Sequence, residues 1–122
     1  SDLWAMAGEA ELLSNRFDSY KFGSNYLTEE FDVESEDDIY QIIVEWDDES
    51  YRFFNGYPQD KAINVIMVDP DDLDARMLPE VSGGGYCIFN MSSLDKGRWK
   101  VLIQYTAKGL SGLLAVLRHR AG

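Results

Sequence analysis

The spacing of hydrophobic positions along this chain changes once, near residue 25. From Asp2 to about Ser19, Leu3, Met6, Ala10, Leu13 and Phe17 recur three or four residues apart, which predicts an amphipathic helix capped by Asp2. Gly23, Ser24 and Asn25 then read as a turn. Beyond it the pattern is that of strands. Tyr26 to Val33 is the first, and Glu34-Ser35-Glu36-Asp37-Asp38, with no apolar side chain, is a solvated turn. Ile39 to Trp46 follows, with Tyr40, Ile42, Val44 and Trp46 on one face and Ile39 and Ile43 on the other. Asp47-Asp48-Glu49 ends it. Ser50 to Tyr57, Ala62 to Val68 and Tyr86 to Met91 read as further strands, with residues 69–85 as the longest loop.

The clearest alternation runs from Arg98 to Thr106, where Trp99, Val101, Ile103 and Tyr105 share one face and Arg98, Lys100, Gln104 and Thr106 the other. Leu113 to Leu117 is apolar without alternation and is predicted to return as a hairpin against that strand. Six or seven short strands without alternating helices predict a mainly β fold, an antiparallel sandwich or partly closed barrel with one N-terminal helix. A length of 122 residues suits one domain, with the helix over 1–20 and the β-sandwich over 26–120.

Composition narrows the function classes. With 45% hydrophobic residues the chain can fill a core, and no apolar run approaches the ~20 residues of a membrane-spanning helix. Ser1 in place of Met is expected of a processed or excised product. Cys87 is the only cysteine, which excludes an intrachain disulfide and a thiolate cluster, and its apolar neighbours Tyr86, Ile88 and Phe89 predict a buried thiol. His119 is the only histidine, so a Cys/His dyad would have to join it to that thiol. No constellation marks an enzyme.

Charge is unevenly distributed. Residues 1–95 hold all 22 acidic side chains against five basic ones, and residues 96–122 hold six basic ones and no acid, for a net charge of −11. Such a surface repels phosphate backbones and favours a basic protein partner. The candidate partner-binding residues are Glu34, Glu36, Asp37, Asp38, Asp47, Asp48 and Glu49, with Trp4, off the helical stripe, as an exposed aromatic contact. Asp69, Asp71, Asp72 and Asp74 are candidate Ca²⁺ ligands, since hard cations take carboxylate oxygens, with a plain solvated loop as the alternative. The segment lacks the Gly and Glu of an EF-hand, and no other cofactor is called for. Ser82-Gly83-Gly84-Gly85 lacks the Lys-Ser/Thr end of a phosphate loop. The basic side chains after residue 95 are expected to pair with acids across the sheet.

Phe31-Asp32-Val33, Asp37-Asp38-Ile39-Tyr40, Ile63 to Val68 closed by Asp69-Pro70-Asp71-Asp72, and Gly97-Arg98-Trp99-Lys100-Val101-Leu102-Ile103 together resemble the rhythm of bacterial pre-peptidase C-terminal domains and related jelly-roll modules, over residues 26–120. The resemblance implies a non-catalytic accessory module of a larger, extracytoplasmic bacterial protein, and the predicted helix departs from it. The alternative is a stand-alone acidic inhibitor, an immunity or anti-defence protein that masks a basic active site or nucleic-acid groove.

Overall fold

The computed structural model describes residues 11–18, 26–55, 60–75, 77–105 and 110–119. They form ten strands: β1 (Glu11–Asp18), β2 (Tyr26–Val33), β3 (Ile39–Trp46), β4 (Arg52–Phe53), β5 (Ala62–Val68), β6 (Asp74–Ala75), β7 (Val81–Gly83), β8 (Tyr86–Met91), β9 (Gly97–Tyr105) and β10 (Ser111–His119). Antiparallel pairs nest inside one another, β1 with β10, β2 with β9, β3 with β8 and β5 with β6. The result is two sheets, β1-β10-β3-β8-β7 and β2-β9-β5-β4, with β6 beside β5 as well. This nesting is the connectivity of a jelly roll. Among the described residues only β4 runs parallel to its neighbour, through Arg52↔Ala62 and Phe53↔Ile63. The sheets stay open, and among the described residues no barrel closes.

Period-two patterning explains the core between the sheets. Tyr40, Ile42, Val44 and Trp46 of β3 and Leu114 and Val116 of β10 meet Ile63, Val65 and Met67 of β5 and Trp99, Val101 and Ile103 of β9. Both buried tryptophans keep a partner for their one polar atom: Trp46 Nε1 donates to the Tyr51 carbonyl and Trp99 Nε1 to the Asp95 carbonyl, each at 2.9 Å. Phe31 and Tyr40 stack in a tilted pair across the sheets, ring centroids 5.7 Å apart.

The first sheet buries apolar side chains on its other face too, where Ile43, Ala115 and Leu117 are buried with Ile88 packed beside them. That explains why Leu113 to Leu117 shows no alternation: β10 is an inner strand covered on both faces. It also corrects the predicted hairpin. β10 lies between β1 and β3, whereas β9 lies between β2 and β5 in the opposite sheet.

Two further expectations change. The predicted helix falls partly on residues 1–10 and 19–20, outside the described residues, but over Glu11–Asp18 the chain is a strand. Its backbone meets the β10 edge from Glu11↔Leu117 to Asp18↔Ser111, and the hydrogen bonds along that edge outweigh the local helical spacing. Of the strand predicted over Ser50 to Tyr57, residues 56 and 57 lie outside the described residues and the others hold only the two residues of β4, while the long loop 69–85 contains β6 and β7. No helix among the described residues is long and apolar enough to cross a membrane.

Candidate functional site

The strand registers sort the acidic loops to two ends of the sandwich. Val33 of β2 pairs with Gly97 of β9, and Val68 of β5 pairs with Lys100. Ile39 of β3 pairs with His119, and Tyr40 pairs with Met91 of β8. The loops 34–38, 69–73 and 92–96 therefore share one end. Asp47, Asp48 and Glu49 follow β3 at the other, separated from residues 34–38 by a strand of about 25 Å. The candidate partner residues thus form two groups, and Trp4 lies outside the described residues.

At the shared end, the basic residues of the late strands are matched by acids. Arg98 bonds Glu30 Oε2 at 3.2 Å and Asp32 Oδ1 at 3.1 Å, Lys100 bonds Asp72 Oδ1 at 3.2 Å, and Arg118 bonds Glu34 Oε2 at 2.8 Å. Asp38 is buried. Glu36, Asp37, Asp71 and Asp74 stay exposed and have no ion pair among the described residues. Leu73, between Asp72 and Asp74, is 63% exposed.

Of the four candidate cation ligands, Asp69 is engaged in shaping its own loop. Its Oδ1 accepts the N–H groups of Asp71 and Leu73, both at 2.9 Å, and Asp72 takes a left-handed φ of 62°. Among the described residues no three His, Cys, Asp or Glu side chains converge as a metal would require.

At the opposite end Asp47 Oδ1 accepts the Ser111 N–H at 3.0 Å, and Asp48 Oδ1 accepts the Ser50 hydroxyl at 2.6 Å and the Ser50 N–H at 2.9 Å. The Ser50 hydroxyl first, then its N–H, and to a smaller extent the charge of Lys61, hold the Asp48 carboxyl below its ordinary value of 3.8. Because the folded value is the lower one, the stabilisation is fully present above the unfolded value and lost as pH falls through the folded one. Followed by NMR, Asp48 should titrate below 3.8, and Ser50→Ala should raise its midpoint. An unmoved midpoint would remove Ser50 as the cause.

A pocket of about 220 Å³ opens on the outer face of the first sheet, at the end shared by the three loops, lined by Ile39, Gln41, Asn90, Met91, Ser92 and His119. Three strands bring these residues together through the pairs Ile39↔His119 and Gln41↔Asn90. Gln41 is only 4% exposed. Its Nε2 donates to Asn90 Oδ1 at 2.9 Å, while its Oε1 and His119 Nδ1 are buried without a hydrogen-bond partner. Sequence reasoning missed this site. The one available signal was a glutamine inside the otherwise apolar run Ile39 to Val44.

Cys87 lies on the other face of the same sheet, buried in the core, where burial pushes its thiol up to a value that leaves it protonated and unreactive. His119 is on the pocket face, so the two are separated by the sheet. Comparison of the chain with protein-family models, curated proteins and solved structures found no match.

Proposed function

We propose that this chain is a non-catalytic binding module, accessory to a larger protein, that docks a basic protein partner on its acidic end. The observation that carries this reading is the partition of charge there. Arg98, Lys100 and Arg118 are matched within the fold, which leaves Glu36, Asp37, Asp71 and Asp74 exposed and without an ion pair at the end of the sandwich that also carries the exposed Leu73. An exposed apolar anchor beside unmatched charge that is mostly acidic, with Lys96 as the unpaired cation there among the described residues, has the anatomy of a docking surface: the anchor contributes affinity, and the charge contributes orientation and association rate. Jelly-roll connectivity supports the accessory role implied by the resemblance to pre-peptidase C-terminal modules. The net charge of −11 also suits a stand-alone inhibitor that covers a basic active site or nucleic-acid groove, in which case binding silences the partner.

Pull-down at low and high salt tests the surface. The combined Glu36→Lys, Asp37→Lys and Asp71→Lys variant should slow association by about tenfold or more. The same reversals at Asp47 and Glu49, on the far end, should leave it unchanged. A partner whose capture is indifferent both to salt and to the first set of reversals would count against docking by charge.

A further inference from the structure

We infer that the pocket on the outer face of the first sheet is a binding site for a neutral, hydroxyl-bearing ligand of monosaccharide size. This goes beyond the docking surface, because no carboxylate, lysine or arginine side chain lines the pocket among the described residues.

The case begins with an unmet requirement. A buried acceptor left without a donor costs about 1–3 kcal/mol, so folded proteins seldom keep one unless something else satisfies it. This pocket keeps two such atoms, Gln41 Oε1 and His119 Nδ1. The glutamine is almost fully enclosed, and its amide is oriented by the bond from Nε2 to Asn90 Oδ1, which leaves Oε1 as its unmatched atom. A ligand that meets Oε1 must donate a hydrogen. His119 Nδ1 accepts when the ring proton is on Nε2 and donates when it is on Nδ1. A hydroxyl group fits both atoms, since it donates and accepts by rotating.

Charge and volume then restrict the class. A carboxylate or phosphate would place its negative oxygen against the Gln41 lone pairs with no lysine or arginine in the lining to offset it. An ammonium would lack a carboxylate there. Both would be desolvated at a cost the lining does not repay. The volume of about 220 Å³ exceeds the ~150 Å³ cavity known to admit benzene, so a substituted six-membered ring fits. Ile39 supplies an apolar wall for the C–H face of such a ring, while Asn90 and Ser92 add polar groups at the rim. Adjacent hydroxyls on a ring with an apolar face are the chemistry of a pyranose.

The test uses the full chain and defined probes. Glucose, galactose, mannose and N-acetylglucosamine are titrated at millimolar concentrations while the side-chain amides of Gln41 and Asn90 are followed by NMR, with acetamide and inorganic phosphate as comparators. At least one sugar should shift both amides saturably, with a dissociation constant indifferent to salt. Gln41→Met, which keeps length and removes Oε1, should weaken binding by about tenfold. Ser92→Trp, an exposed position, closes the mouth without touching the core and serves if the glutamine variant does not fold. Methyl glycosides separate the two sources of the same chemistry: acceptance indicates the terminal residue of a glycan, rejection a free sugar. The inference is overturned if no sugar shifts these amides, if phosphate or acetamide alone does, or if binding is undiminished in every folded variant. None of these outcomes depends on Glu36, Asp37 or Asp71, so failure of the docking surface is distinguishable from failure of the pocket.

Discussion

Phe89→Ala will lower the unfolding free energy by about 3–5 kcal/mol, the range for emptying an aromatic site in a close-packed core. Phe89 is 1% exposed at the centre of the sandwich, opposite Ile42 on β3, and meets Phe53 edge-on with ring centroids 5.7 Å apart and planes at 75°. Its neighbours belong to strands of both sheets, so collapse around the void would require two rigid layers to move together. Urea denaturation is the measurement, and the midpoint should fall with the slope unchanged. Tyr86→Ala on the same strand, at a side chain 37% exposed, should stay within about 0.5 kcal/mol. Equal losses at the two positions would mean that the inter-sheet core does not dominate stability.

Gly97→Ala should cost about 2–4 kcal/mol, the sum of backbone strain and overpacking. Gly97 opens β9 with a φ of 135°, a conformation that side chains disfavour, and a Cβ there would lie 2.8 Å from Pro70 Cγ and 2.9 Å from Pro70 Cβ. Pro70 belongs to the loop that carries Asp71, Asp72 and Leu73, so the substitution should also displace part of the proposed docking surface. A double-mutant cycle separates the two causes. Pro70→Gly in the Gly97→Ala background should recover the steric share and leave the backbone share. No recovery would assign the whole loss to the backbone.

These two positions differ in how far local pattern reveals them. Phe89 stands on the apolar side of an alternating strand, between Cys87 and Met91, and is legible as core from the sequence. Gly97 is legible only as part of a turn, since the approach of Pro70 depends on the loop between β5 and β6 folding back to the start of β9. The same division runs through the fold. The expected bounds of β2, β3, β5 and β8 coincide with those observed, because Gly, Pro and runs of Asp and Glu punctuate the chain on either side of them. Leu13 and Phe17 fit a helical stripe by spacing, yet the backbone there is a strand, because the open edge of β10 offers hydrogen bonds that no local spacing records.

The candidate site was less visible. The acidic loops are legible as solvated, but their sorting to opposite ends of β3 follows from register. The pocket joins Gln41 to Asn90 across a separation of 49 residues, and to His119 through the pairing of β10 with β3. Patterning in the chain sets which residues are extended and which face is apolar, since both depend on the alternation of neighbours within one strand. The choice of partner for each strand belongs to the tertiary structure, because the free energy of an edge is released only when a second edge meets it. That choice placed β10 beside β3 instead of β9 and so brought two unpaired polar atoms into one pocket.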